Sequence, residues 1–449
     1  MSFYLWGDSS SNIERCRGND GLRTLGTVFW ISGWKASGCG RCAPFCRLMP
    51  DTGLTEEEGR TTALPPEFHD QREASAMENK SLFTPFQSQS LSLRNRLVMA
   101  PMTRTFSPSG VPTADVAAYY KRRAEGGVGL IITEGSWIPH SGASNEENAP
   151  RFYGEDALAG WATVVREVHD AGAQIVPQLW HVGLTHRPKA PGVYEDIQED
   201  FSTRVSPSGY VAVGDKIAEG MSDKDVEDLI EAYATAAATA KALGFDGVEI
   251  HGAHGYMVDQ FLWAETNKRT DRWGGDIAGR TRFAVEMARA CRAAVGPDFA
   301  IILRFSQWKL QDYGAKLATT PQELEQFLLP LADAGIDIFH ASQRRFWEPE
   351  FAGSDLSLAG WAKKITGKPS ITVGSVGLDR ELLETSPDPT IIAHVAKLDQ
   401  LFKMHEQGDF DLVAVGRALI ADPDWPLKVQ AGRFDDLQPF DVGLLATLT

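Results

Sequence analysis

Residues 222–251 read SDKDVEDLIEAYATAAATAKALGFDGVEIH, and the organisation of the chain can be worked out from this stretch. Ser222 stands where a helix N-cap belongs, and Asp225 three residues on makes a pattern resembling a capping box. Val226, Leu229, Ile230, Tyr233 and Ala237 then keep one apolar face at helical spacing. Gly244 stops the helix, and Phe245–His251 follows at once as a short apolar strand. A helix feeding directly into a near-continuous apolar strand is the repeating unit of a parallel α/β sheet.

The same alternation recurs on both sides. Candidate strands are Arg96–Thr103, Val128–Gly135, Gln174–Gly183, Phe245–His251, Ala300–Ser306, Ile336–Ser342, Ser370–Gly374 and Phe410–Gly416, each followed by a helix-like stretch. Eight such units predict a (β/α)8 TIM barrel, which needs ~250 residues plus insertions. An open doubly wound sheet would need a glycine-rich phosphate turn after its first strand, and Ala100-Pro101-Met102-Thr103 is not one. The expected barrel occupies residues 77–449.

Residues 1–76 show no sustained period and read as a mostly unstructured N-terminal extension. The composition shifts after Pro65-Pro66 and a polar, acidic run from Glu56 to Glu73. Thr27–Ile31 is too short and too far in for a secretory segment. Cys39, Cys42 and Cys46, with Cys16, have spacings seen in metal and iron–sulfur sites. No second CxxC pair and no predicted fold surround them, so no metal is expected.

Composition narrows the function. Hydrophobic residues at 43% and charged residues at 23% exclude a largely disordered chain. The net charge of -16, from 44 basic and 60 acidic residues, argues against a nucleic-acid or anionic-membrane partner. Apolar runs such as Gly129–Ile132 are far short of a membrane span. Five cysteines in 449 residues are no disulfide scaffold. The expectation is a cytoplasmic protein acting on a small molecule, with homo-oligomerisation left open.

In such a barrel the active site lies at the C-terminal ends of the strands. Those ends carry Pro101-Met102-Thr103, Glu134-Gly135, Gln178 with Trp180, His251 with His254 and Tyr256, Arg304, His340, Gly374-Ser375 and Gly416-Arg417. Glycines at the seventh and eighth ends let backbone N–H groups approach a phosphate, and Arg304 and Arg417 add positive charge. No carboxylate cluster and no strand-end lysine points to a divalent metal or a Schiff base. A phosphate-anchored organic cofactor fits better. Gln178 and Thr103 suit the edge of a heterocycle, and Arg304 suits negative charge on a reduced ring. The pair His251 and His254 can hold a carbonyl oxygen from two directions. Tyr256, whose side chain ordinarily titrates near ~10, is a proton donor at neutral pH.

These residues resemble the old yellow enzyme family of FMN-dependent ene-reductases over about residues 80–435. The resemblance rests on Asn95–Thr103, Ile132–Gly135, Gln178–Gly183, His251–Tyr256, Asn267–Gly275 and Val415–Arg417. It implies FMN held by Pro101, Met102, Thr103, Gly135, Gln178 and Arg304 at the ring, and by Gly374, Ser375, Gly416 and Arg417 at the phosphate. It also implies substrate contacts from His251, His254, Tyr256 and Trp180, with Tyr256 as proton donor. The implied reaction is ping-pong reduction of an α,β-unsaturated carbonyl or nitroalkene by NADPH or NADH. A flavin reductase or oxidase is an alternative, as is a non-catalytic barrel that binds a phosphorylated ligand. Relatives split between threonine and cysteine at the position of Thr103, and between asparagine and histidine at that of His254.

Two connections are long enough to shape specificity. Leu184–Met221 is a candidate lid, and Arg344, Arg345, Phe346, Trp347 and Phe351 are candidates for the rim of the entrance.

Overall fold

The computed structural model describes residues 79–144, 146–185, 202–381 and 392–449. The expected extension with its four cysteines lies outside them, as do residues 186–201 of the candidate lid.

Eight parallel strands close into a barrel. They are β1 (Leu97–Met99), β2 (Leu130–Trp137), β3 (Gln174–Trp180), β4 (Gly247–His254), β5 (Ala300–Lys309), β6 (Ile338–Ser342), β7 (Ser370–Val373) and β8 (Leu412–Val415). Closure comes from β8 against β1, where Val413 lies opposite Leu97 and Val415 opposite Met99. The outer layer contains α1 (Ala114–Glu125), α2 (Glu155–Asp170), α3 (Asp223–Ala242), α4 (Met257–Leu262), α5 (Ile277–Val295), α6 (Pro321–Asp333), α7 (Leu358–Thr366), α8 (Leu398–Glu406) and α9 (Arg417–Ala421). Among the described residues no helix is long and apolar enough to cross a membrane.

The strands are apolar on both faces because both faces are covered. Val98, Ile132, Val176, Ile302, Ile371 and Leu412 fill the interior, while Leu97, Ile131, Ile175, Ile301 and Val413 pack outward against helices. A hairpin of Phe86–Gln87 and Ser92–Leu93 adds Phe86, Leu91 and Leu93 to the interior cluster. It precedes β1 and closes the N-terminal end of the barrel. The C-terminal end stays open.

The capping box on α3 is complete: Asp225 N–H donates to the Ser222 hydroxyl at 3.2 Å and Ser222 N–H to the Asp225 carboxylate at 2.8 Å. The first strand is shorter than expected, ending at Met99 instead of Thr103. Ala100 N–H still donates to the Val415 carbonyl at 2.9 Å, but Pro101 has no N–H for a ladder, so residues from Pro101 on leave the sheet and become the first loop of the open end. The fourth and fifth strands run further than expected, to His254 and Lys309, because they pair with each other past a bulge between Gly252 and His254.

Candidate active site

The open end holds a cavity of about 300 Å³. Of the expected site residues, Pro101, Met102, Thr103, Gln178, Trp180, His251, His254, Tyr256, Arg304, Gly374, Ser375, Gly416 and Arg417 all line it. Gly135 does not. It sits one layer back, where a Cβ would come within 2.8 Å of the Trp180 indole, so its smallness makes room for that ring. The loop bearing Thr103 is held by Glu134, whose carboxylate accepts the Arg104 and Thr105 N–H groups at 2.9 and 3.1 Å. Burial pushes that carboxyl up to about 7.

One side of the cavity is built by the end of β4. His251 Nδ1 accepts the Ala253 N–H at 3.3 Å, so the neutral ring carries its proton on Nε2. The bulge beyond Gly252 turns the chain, and His254 adopts a left-handed φ of 66°. This brings the two imidazole centroids to 5.0 Å and places the Tyr256 ring 4.9 Å from His251. Trp180 meets Tyr256 edge-on at 5.3 Å. His254 Nε2 lies 2.7 Å from the Ser342 hydroxyl, which also accepts from Arg304 at 3.3 Å. Burial, reinforced by the nearby Arg304 guanidinium, holds both histidines well below the ordinary imidazole value. They are neutral hydrogen-bonding groups.

The opposite side suits a planar heterocycle with a phosphate. Gln178 donates one amide hydrogen to Glu249 at 2.7 Å, leaving its oxygen and second hydrogen for the cavity. Glu249 is in turn 2.6 Å from His340 Nδ1, and neither side chain has any exposed surface. Arg304 lies between His251 and His340 in the strand register, and its Nε has no partner within the described protein. The two glycines differ. At Gly374 (φ 137°) a Cβ would press to 2.5 Å from the Gln343 carbonyl, so the chain's own backbone demands glycine there. At Gly416 a Cβ would meet nothing nearer than Met102 Sδ at 3.6 Å. No packing within the protein excludes a side chain, and the space it would take belongs to the cavity. An open cradle at Gly416, an amide edge at Gln178, the Thr103 hydroxyl and a buried guanidinium fit a flavin.

The profile of the NADH:flavin oxidoreductase / NADH oxidase family matches residues 81–436. The chain belongs to the old yellow enzyme family. It is similar to an NADH oxidase from Thermoanaerobacter brockii, 34% identical over 367 residues, covering 80% of this chain but only 52% of that protein. The chain thus spans about half the length of this relative. Morphinone reductase, solved in complex with tetrahydroNAD, is 28% identical with a TM-score of 0.64, covering 81% of this chain and 94% of the other. An old yellow enzyme homologue from Zymomonas mobilis is 25% identical, also at 0.64, covering 82% and 97%. As a member of the old yellow enzyme family the protein is an NAD(P)H-dependent flavin oxidoreductase.

In this old yellow enzyme the wall opposite Trp180 was not expected. His254 stacks on Trp308 (centroids 4.4 Å apart), Trp308 on Tyr313 (5.5 Å), and the Arg344 guanidinium lies 5.3 Å over Tyr313. Trp308 is further pinned by its indole N–H, which donates to the Ser342 carbonyl at 3.1 Å. Lone aromatics past the end of a predicted strand carry no sequence signal, and only the extension of β5 delivers them. The expected rim needs correcting in return. Phe346 and Phe351 are core residues, and Trp347 packs edge-on against Phe346; only Arg344 of that group reaches the main cavity. None of residues 202–221 of the candidate lid lines the cavity either. Trp347→Ala is therefore expected to leave steady-state kinetics within about 2-fold of the parent, whereas Trp308→Ala raises the KM of the substrate that enters this cavity by removing a wall worth ~1–3 kcal/mol of apolar contact. Equal effects of the two would refute the assignment of the wall.

Proposed function

We propose that the protein is an FMN-dependent ene-reductase, which uses NADPH or NADH to saturate the activated C=C bond of an α,β-unsaturated carbonyl or nitroalkene. The reading is carried by the convergence of two neutral histidine donors and a tyrosine on one cavity whose other side offers Gln178, Arg304 and Gly416. Binding a phosphorylated ligand alone needs neither the histidines nor the tyrosine.

Thr103 and Gln178 would hold the polar edge of the flavin ring, Pro101 and Met102 its faces, and Gly416, Ser375 and Arg417 its phosphate. Held there, FMN would supply hydride chemistry, taking hydride from NAD(P)H in one half-reaction and giving it to the alkene β-carbon in the other. The guanidinium of Arg304 would compensate negative charge developing on such a ring. His251 and His254 donate to the carbonyl or nitro oxygen and draw electron density toward it. Tyr256 delivers the proton to the α-carbon, which balances the addition of hydride at the β-carbon. Trp180 and Trp308 wall the slot on two sides and leave space for a flat acceptor.

The test is colour. Purified protein should be yellow, bleach anaerobically with NAD(P)H, and regain its absorbance on adding 2-cyclohexenone. Colourless protein that takes up no FMN sinks the proposal. Bleaching that only oxygen reverses would make it a flavin reductase or oxidase, in keeping with its similarity to an NADH oxidase.

A further inference from the structure

Lys309 and Asp259 form an ion pair at 2.7 Å in which neither side chain has exposed surface. The pair sits directly behind the catalytic turn. Lys309 ends β5, one residue after Trp308, and lies opposite His254 in the strand register. Asp259 is in the first turn of α4, the helix that Tyr256 caps. Its second oxygen accepts the Gly255 N–H at 2.7 Å, while Lys309 Nζ also donates to the Ser306 carbonyl at 3.1 Å.

Both residues of the turn His254–Gly255 have left-handed φ, 66° and 79°. A histidine in that conformation persists only where its surroundings over-determine it. The supports are visible: His254 N–H donates to the Ser306 hydroxyl at 2.9 Å, Leu310 N–H to the His254 carbonyl at 3.2 Å, and Gly255 N–H to Asp259. The ion pair joins the α4 side of this arrangement to the β5 side. On energetic grounds alone such a pair is a poor choice, since well-packed apolar residues of similar volume often do as well or better. Geometry is what an apolar pair would not supply.

Building on the ene-reductase reading, we propose that Asp259–Lys309 is a positioning pair that ties α4 to β5 and thereby fixes the Tyr256 hydroxyl over the carbon it protonates. It touches neither substrate nor cofactor and acts through Tyr256.

Removing one partner alone strands a buried charge and risks the fold, so the test uses neutral double variants. D259N/K309M keeps an acceptor for the Gly255 N–H, and D259L/K309M is fully apolar; the variant that folds and retains flavin is used. Stopped-flow measurement should show the enone half-reaction at least about 10-fold slower, with reduction by NAD(P)H unchanged and a larger solvent deuterium isotope effect on the enone step. Combined with Tyr256→Phe, the double variant should cost nothing further, because the two act through one group. A normal enone step, equal slowing of both half-reactions, or full additivity with Tyr256→Phe overturns the proposal. If both double variants fold poorly, the slower enone step and the absence of further loss on top of Tyr256→Phe are read instead from Lys309→Arg, which keeps the charge and changes the length of the tie. Tyr256→Phe alone separates the two levels: if it leaves the enone step unchanged, the ene-reductase reading itself fails.

Discussion

Replacing Tyr256 by Phe is expected to slow the enone half-reaction by ~10²–10⁴-fold, the usual contribution of a positioned acid. Reduction of the flavin by NAD(P)H should stay near the parental rate, since no proton is delivered to carbon in that step. The ring should keep its place without the hydroxyl, because it is held by edge contacts to His251 at 4.9 Å and Trp180 at 5.3 Å and by the backbone cap of α4. Anaerobic stopped-flow absorbance measures the two half-reactions separately. Equal loss in both would remove the proton-donor assignment.

His251→Ala is expected to cost ~10²–10³-fold in the same half-reaction, the usual effect of deleting one donor to a developing oxyanion. Here pH adds a second constraint. Both histidine pKa values are depressed by burial and by Arg304, so the neutral rings persist as pH falls through the ordinary imidazole range and protonate only below it. The histidines should therefore add no inflection to the enone step between about pH 6 and 8, where an unperturbed imidazole would show one near ~6.5. Any inflection there from Glu134, pushed up to about 7, should persist in His251→Ala. An inflection there that disappears in His251→Ala would mean the active donor is an imidazolium, and the neutral-pair assignment would fall.

Local rules of sequence explain part of this site. The Ser222–Asp225 cap, the two-faced apolar strands and the polar residues at strand ends all follow from neighbours a few positions apart, and they place the barrel and most of the cavity lining. Pairings that depend on strand register do not. Glu249 and His340 meet across the interior, and Asp259 and Lys309 across a bulge, at 91 and 50 residues' separation. Each looks in sequence like an ordinary charged or polar residue of a strand or helix. Gly374 and Gly416 look alike in sequence as well, yet one is required by a carbonyl of the chain and the other leaves a space. Only three-dimensional neighbours distinguish them.

The closing contact of the barrel, Val413 opposite Leu97, bears on how the protein is made. Residues lining the cavity come from seven of the eight strand ends and span Ala100 to Arg417, so no short fragment contains the site. During synthesis the cofactor has nowhere to bind until the last strand has emerged and paired with the first. Such long-range pairing is slow, because loop closure must precede the contacts that reward it. Once bound, a ligand selective for the closed ring adds RT ln(1 + [L]/Kd) to its stability. Cells short of the cofactor should therefore accumulate less of this protein, since open or half-closed chains are the ones exposed to proteolysis.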